Sequence, residues 1–100
     1  MNTFNKTDTF ADWLDQLRDV VGRAKVLIRI KRAQAGNFGD CESLGDGIFE
    51  MRVTFGPGYR VYYAQEGTLV YLLLCGGDKS TQSADIRYAK AMWKSIKESS

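Results

Sequence analysis

Histidine is absent from this chain of 100 residues. No imidazole can act as general base, general acid or metal ligand, which excludes Ser-His-Asp and Cys-His mechanisms and histidine-held metals. Cysteine is scarce. Cys41 and Cys75 lie far apart and form no Cys-x-x-Cys pair, so no zinc site is expected. The two thiols read as buried structural groups rather than as a disulfide. Proline occurs once, at Pro57, and no low-complexity run is present. The longest apolar run, Leu69 to Cys75, is far shorter than the ~20 residues that cross a bilayer as a helix. The start, Met1-Asn2-Thr3-Phe4-Asn5-Lys6, lacks the apolar centre of a secretory signal. The expected setting is the cytoplasm, with no membrane, no metal and no small-molecule cofactor.

What is present points to one folded domain over residues 1–100. Hydrophobic residues make up 44% and charged residues 26%, the balance of a soluble globular chain. The net charge is only +2, but it is unevenly spread. Asp8, Asp12, Asp15 and Asp19 make the first stretch acidic. From Val20 to Gly39 there is no acid, while Arg23, Lys25, Arg29, Lys31 and Arg32 all fall there. Lys79, Arg87, Lys90, Lys94 and Lys97 make the last third basic. Such runs serve either an anionic partner or simply the solvated side of a helix.

The spacing predicts an α+β chain of order β-α-α-β-β-β-α. A short strand fits Asn2 to Lys6, and Thr7 or Asp8 can cap a following helix. Phe10, Trp13, Leu14, Leu17 and Val21 recur at helical steps, with Gly22 as a bend or break. A second helix carries Ala24, Leu27, Ile28 and Ala35 as its apolar stripe, with Ile30 off it, and Gly36-Asn37 stops it. Asn37 to Gly47 reads as loop. The period then becomes two: Phe49, Met51, Val53 and Phe55 alternate with polar residues. Gly56-Pro57-Gly58 turns into a strand over Tyr59 to Gln65. Glu66-Gly67 turns into another over Thr68 to Cys75, ended by Gly76-Gly77. Ser80, Thr81 or Ser83 caps a last helix with Ile86, Ala89, Met92 or Trp93, and Ile96 on its stripe.

A Gly-Pro-Gly turn sets Thr54 opposite Arg60 and Arg52 opposite Tyr62, and directly opposed residues share a face. Glu50, Arg52, Thr54, Arg60 and Tyr62 then line one face, with Met51, Val53, Val61 and Tyr63 on the other. The Glu66-Gly67 turn adds Tyr71 and Leu73 to the first face. The strand Thr68 to Cys75 is apolar on both sides and is expected inside the sheet, covered on both faces. The first two helices can cover one face, and the last helix or a partner part of the other. Folding does not require two arginines in mid-strand. Guanidinium forks match phosphate oxygens, so the cluster reads either as an anion site or as a surface ion-pair set of Glu50, Arg52 and Arg60.

Phe49-Glu50-Met51-Arg52, Gly56-Pro57-Gly58-Tyr59-Arg60-Val61-Tyr62-Tyr63 and Leu74-Cys75-Gly76-Gly77-Asp78-Lys79-Ser80-Thr81-Gln82, followed by Asp85-Ile86, resemble the RelE/ParE superfamily of type II toxins. The nearest likeness is to its HigB-like group of addiction-module killer proteins. The resemblance spans nearly the whole chain. It implies an antiparallel sheet packed by helices, of microbial-ribonuclease type, and a toxin that cuts mRNA on the ribosome and so inhibits translation without metal. It also implies a cognate antitoxin, often of helix-turn-helix type. On that likeness Arg60 matches the recurrent strand arginine, Arg52 falls where some relatives have lysine, and Lys79 falls at the basic position after the last strand. Glu42 resembles a loop glutamate used as general base. Glu50 stands where RelE itself has a second lysine, and Ile86 about where it has its catalytic tyrosine, with Tyr88 the nearest replacement.

The chemistry such a set can support is attack of a 2′-hydroxyl on the neighbouring phosphate. Arg52, Arg60 and Lys79 would stabilise the charge that develops, and Glu50 or Glu42 would take the proton. Arg23, Lys25, Arg29, Lys31, Arg32, Tyr62 and Lys90 are the residues expected to touch RNA. A net charge of +2 gives weak affinity for free RNA, so the ribosome would supply positioning. The alternative is a non-enzymatic inhibitor of DNA gyrase, as in the ParE branch.

Overall fold

The computed structural model describes residues 1–99. Strand β1 (Thr3–Lys6) leads into helix α1 (Asp8–Asp15) and helix α2 (Val20–Gln34). Four strands follow: β2 (Cys41–Gly45), β3 (Ile48–Val53), β4 (Tyr59–Gly67) and β5 (Val70–Asp78). A short 3-10 turn over Lys79–Thr81 enters helix α3 (Gln82–Ser99). The fold is α+β, with a five-stranded sheet in the order β1-β5-β4-β3-β2. β2 to β5 form an antiparallel meander. β1 joins β5 in parallel, so the sheet is mixed.

The start of α1 is as the sequence implies: the Thr7 side chain accepts from the Phe10 N–H at 3.0 Å. The break between the first two helices falls at Gln16 to Asp19, not at Gly22. Asp19 caps α2, accepting from the Gly22 N–H at 2.9 Å. Gly22 is instead a contact point, because a Cβ there would stand 2.4 Å from the Tyr59 ring. α2 buries Gly22, Val26, Ile30 and Ala33, so the expected stripe of Ala24, Leu27, Ile28 and Ala35 is wrong by about half a turn. Both stripes have helical spacing; the buried one is the one whose glycine lets Tyr59 lie against the helix. Gly36 takes the left-handed stop with φ +98°.

The stretch from Asn37 to Gly47 contains a strand where a loop is expected. β2 is a short edge strand whose polar residues Glu42 and Ser43 lie exposed, which removes the apolar alternation that would announce it. The last strand runs through Gly76 and Gly77 instead of ending there. Gly76 lets Trp13 lie against the sheet, where a Cβ would approach its ring to 2.4 Å. Gly77 does the same for the Asp85 carboxylate at 1.9 Å. Asp78 caps the 3-10 turn that enters α3 by accepting from the Ser80 N–H at 2.8 Å.

Two cores sit on the two faces of the sheet. Phe10, Leu14, Val26, Ile30 and Ala33 pack on Met51, Val53, Tyr59, Val61, Tyr63 and Leu73. On the other face, Ala89 and Trp93 of α3 pack on Ile48, Tyr62, Ala64, Leu72 and Leu74. β5 is interior and covered on both faces, as its composition requires. Both cysteines carry free thiols. Cys75 is buried, and burial pushes its thiol up to about 12.

Candidate functional site

The register of the central hairpin decides which side chains meet. Arg52 pairs with Arg60, Glu50 with Tyr62 and Val53 with Tyr59. The turn is therefore longer than Gly-Pro-Gly, and the pairing is displaced by two residues from the expected one. An even displacement preserves the faces, so Glu50, Arg52, Arg60 and Tyr62 still share a side. The next hairpin does not repeat this. Its two-residue turn is Thr68–Leu69, Gly67 being a strand end paired with Val70, and a bulge lies between Tyr62 and Tyr63. Tyr71 and Leu73 consequently pack with the opposite core, not beside the arginines. Gly77, not Leu73, stands opposite Arg60.

Directly opposed like charges on a strand pair cost stability. Here carboxylates offset the Arg52–Arg60 pairing. The Arg52 guanidinium meets Asp40 at 3.0 Å, Glu42 at 2.8 Å and Glu50 at 3.6 Å. Its hydrogen bonds to Asp40 and Glu42 raise its affinity for its proton, and the same bond holds Asp40 below the usual carboxylate range. Glu42 remains more than half exposed, while the Glu50 side chain is sealed at 1%. Glu50 Oε2 accepts from the Gln82 side chain at 2.8 Å.

Three polar atoms on this face are buried without a hydrogen-bond partner: Glu50 Oε1, Arg60 Nε and the Tyr62 hydroxyl. Burial, and then the charge of Glu50, push the Tyr62 hydroxyl well above the usual tyrosine range. Above them, the Asp85 carboxylate accepts from the Thr81 hydroxyl at 2.6 Å. Its bulk fills the space that Gly77 leaves open beside Arg60. Lys79 is exposed, tied by its backbone N–H to the Pro57 carbonyl at 3.4 Å, with its side chain against Gly58 at the hairpin turn.

The other expected site residues divide. Tyr88 is 51% exposed on α3, whereas Ile86, Ala89 and Trp93 take the side that faces the sheet. Tyr62 cannot offer a surface to RNA, because α3 seals it completely. Arg29 is held by backbone: its guanidinium donates to the carbonyls of Arg52, Phe38 (3.0 Å) and Asp40 (3.2 Å), tying α2 to the entry of β2. Arg23, Lys25, Lys31 and Arg32 are exposed on α2, which packs on the sheet face opposite Arg60. Lys90 pairs with Asp46 at 3.4 Å. Among the described residues no three Cys, Asp or Glu side chains are gathered as a metal cage, and no helix is long and apolar enough to cross a membrane.

Gln82, Asp85 and Asp40 belong to the cluster although the residue pattern assigns them no role. Gln82 and Asp85 lie in the Gly-Gly-Asp-Lys-Ser-Thr-Gln stretch and just after it, so the motif contains them without saying what they touch. Asp40 sits in the segment that reads as loop, and only the β2–β3 pairing brings it to Arg52.

Two comparisons bear on this geometry. Residues 12–94 match the profile of the family described as "Phage derived protein Gp49-like". An uncharacterised protein of Haemophilus influenzae is 52% identical over 86 residues, covering 86% of this chain and 87% of that protein. The matched span contains the second half of α1, all of α2, the whole meander and most of α3, and the chain belongs to the phage-derived Gp49-like family, a family of RelE-like toxins of toxin–antitoxin systems.

Proposed function

We propose that the chain, akin to the HigB-like killer proteins, is a metal-independent endoribonuclease that cuts mRNA on the ribosome and thereby arrests translation. The observation that carries the reading is the trio of buried polar atoms around Arg60 that make no hydrogen bond. Buried polar atoms in native proteins are paired in roughly nine cases of ten, and three orphans on one strand pair are a cost that folding alone does not call for. Arg60 is the phosphate-binding cation, because Arg52 is already engaged by three carboxylates. Lys79, exposed beside the hairpin turn, neutralises charge at the leaving oxygen. Glu42, more than half exposed, takes the proton of the attacking 2′-hydroxyl. Glu50, sealed, positions Arg52 and Gln82. One well-placed donor contributes on the order of 10²–10³ in rate and a general base about 10²–10⁴. Delivery of bent mRNA by the ribosome supplies the rest.

The engagement of Arg52 by Asp40, Glu42 and Glu50 favours a second reading, a ParE-like inhibitor that holds DNA gyrase without cleaving anything. Primer extension on mRNA from a translation reaction, with and without ribosomes, run beside a gyrase supercoiling reaction, separates the two. The expected result is ribosome-dependent cuts, naked RNA nearly intact and gyrase unaffected. Arg60→Ala abolishes the cuts with the melting temperature retained, and Arg60→Glu is worse because it also repels the phosphate. Intact mRNA with inhibited gyrase overturns the proposal.

A further inference from the structure

Helix α2 has two apolar sides, and the protein uses only one. Gly22, Val26, Ile30 and Ala33 face the core. Val20, Val21, Leu27 and Ile28 stand 78%, 55%, 46% and 48% exposed, with exposed Ala24 among them. At about 100° per residue these five fall within about 120° of arc, on the side of the helix away from the sheet. A soluble chain tolerates single exposed aliphatics, but a contiguous stripe of them marks an interaction surface. The stripe continues into a cleft of about 370 Å³ whose wall includes Leu27 together with Phe4, Phe10, Leu14, Ile30 and Leu73.

Charge selects the occupant. No acid occurs between Val20 and Gly39, and Arg23, Lys31 and Arg32 border the stripe. Nucleic acid would use those cations but has no need of exposed valine, leucine and isoleucine between them. A second copy of this chain would bring the same positive helix against itself. From these observations we infer that the outer side of α2 docks an amphipathic helix of a partner protein, with an apolar stripe and acidic flanks, and with one large aliphatic or aromatic side chain in the cleft beside Leu27. The inference rests on the toxin reading, in which that partner is the antitoxin, and it places the antitoxin on the sheet face opposite Arg60. Helix-in-groove recognition of this kind takes its affinity from a few apolar anchors and its partner choice from the charged border.

The test uses the full chain and the protein encoded by the neighbouring reading frame, co-expressed and purified. The variants are Leu27→Asp with Ile28→Asp, Arg23→Glu with Lys31→Glu, and Arg60→Ala. The changed α2 positions are exposed, so melting temperatures are expected to stay near wild type. The aspartate pair weakens binding at least ~100-fold, and the glutamate pair weakens it ~10-fold with a reduced salt dependence. The aspartate pair still arrests growth, and the neighbour no longer rescues it; the glutamate pair is read by binding alone. Arg60→Ala binds the neighbour with wild-type affinity. Wild-type binding by the aspartate pair overturns the surface while leaving the toxin reading intact. A wild-type chain that neither arrests growth nor binds the neighbour overturns the toxin reading and this surface with it.

Discussion

The two faces of the sheet are built on different principles. Under α1 and α2 the core is apolar and aromatic: Phe4 and Tyr71 stack at 5.0 Å, Phe49 and Tyr63 at 5.4 Å, Phe38 and Tyr63 at 6.0 Å. The polar tip at its border is satisfied, with the Tyr59 hydroxyl donating to Asp19 at 2.8 Å. Under the first turn of α3 the same strands carry two opposed arginines, a sealed glutamate and three orphaned polar atoms. Both faces carry an apolar core, and on the first nothing but that core is present at the centre. The other holds a charge arrangement at some cost to stability, as binding and catalytic sites commonly do.

The sharpest way to break this contrast is to make one substitution on each face and compare stability with activity. Phe10 is 1% exposed in the helix-covered core, and Phe10→Ala is expected to cost about 3–5 kcal/mol. That is a large share of the stability of a domain this size, so urea or thermal unfolding should show a marginal or unfolded protein, inactive only because it is unfolded. Phe10→Ala melting within a few degrees of wild type would refute the assignment of the stabilising core to this face.

Glu50→Gln sharpens the comparison from the other side. The amide keeps the contact to Gln82 and removes a buried charge whose second oxygen accepts no hydrogen bond. The melting temperature should rise by about 4 °C, while mRNA cleavage falls about 10-fold as Arg52 loses the charge that anchors it. A merely structural Glu50 would move stability and activity down together; that result would remove it from the site.

How much of this was legible in the residues follows the same division. The α1 cap, the left-handed stop at Gly36, the meander and the grouping of Glu50, Arg52, Arg60 and Tyr62 were readable, because capping, positive φ and period-two alternation are local signals. Even the misplaced hairpin register kept the grouping, since its displacement was even. The bulge between Tyr62 and Tyr63 has no local signature, and it moved Tyr71 and Leu73 to the other face. The inward side of α2 is marked by Tyr59 lying against Gly22, a contact between residues distant in sequence. Asp85 reaches the cluster because Gly77 leaves room beside Arg60, and Gln82 reaches it through its bond to Glu50. In each case the missing information was tertiary.

Tyr59 and Tyr62 give a matched pair for the comparison. Both are buried in the sheet; one hydroxyl donates to a carboxylate at 2.8 Å, and the other lies near the Glu50 charge without a hydrogen bond. Tyr59→Phe is expected to cost about 1–2 kcal/mol, as for a hydrogen bond to a charged group. Tyr62→Phe should leave stability unchanged or slightly improved, because the hydroxyl it removes is already unpaired. Equal losses in the two variants, measured by urea unfolding at neutral pH, would show that Tyr62 has a partner after all.

The smallest expected effect tests whether the Tyr59–Asp19 bond is to a charged group. The Gly22 N–H and then the Tyr59 hydroxyl hold the Asp19 carboxyl below its ordinary 3.8. A depressed carboxyl contributes stability that is present above the unfolded value and lost as pH falls through the folded one. Tyr59 moves the opposite way, since burial and the bond to Asp19 push its hydroxyl from 10.0 up to about 12. A raised group contributes stability below its unfolded value that is lost as pH rises through the folded one. The cost of Tyr59→Phe should therefore be constant between roughly pH 4 and 10 and shrink on both sides of that window. Asp40, also depressed, lies with Arg52 on the other face and titrates alike in both proteins, so it cancels in the difference. Unfolding curves of wild type and Tyr59→Phe at pH 7, 4 and 2.5 decide the matter. A cost that stays the same down to pH 2.5 would mean that the hydroxyl stabilises the protein through something other than the Asp19 carboxylate.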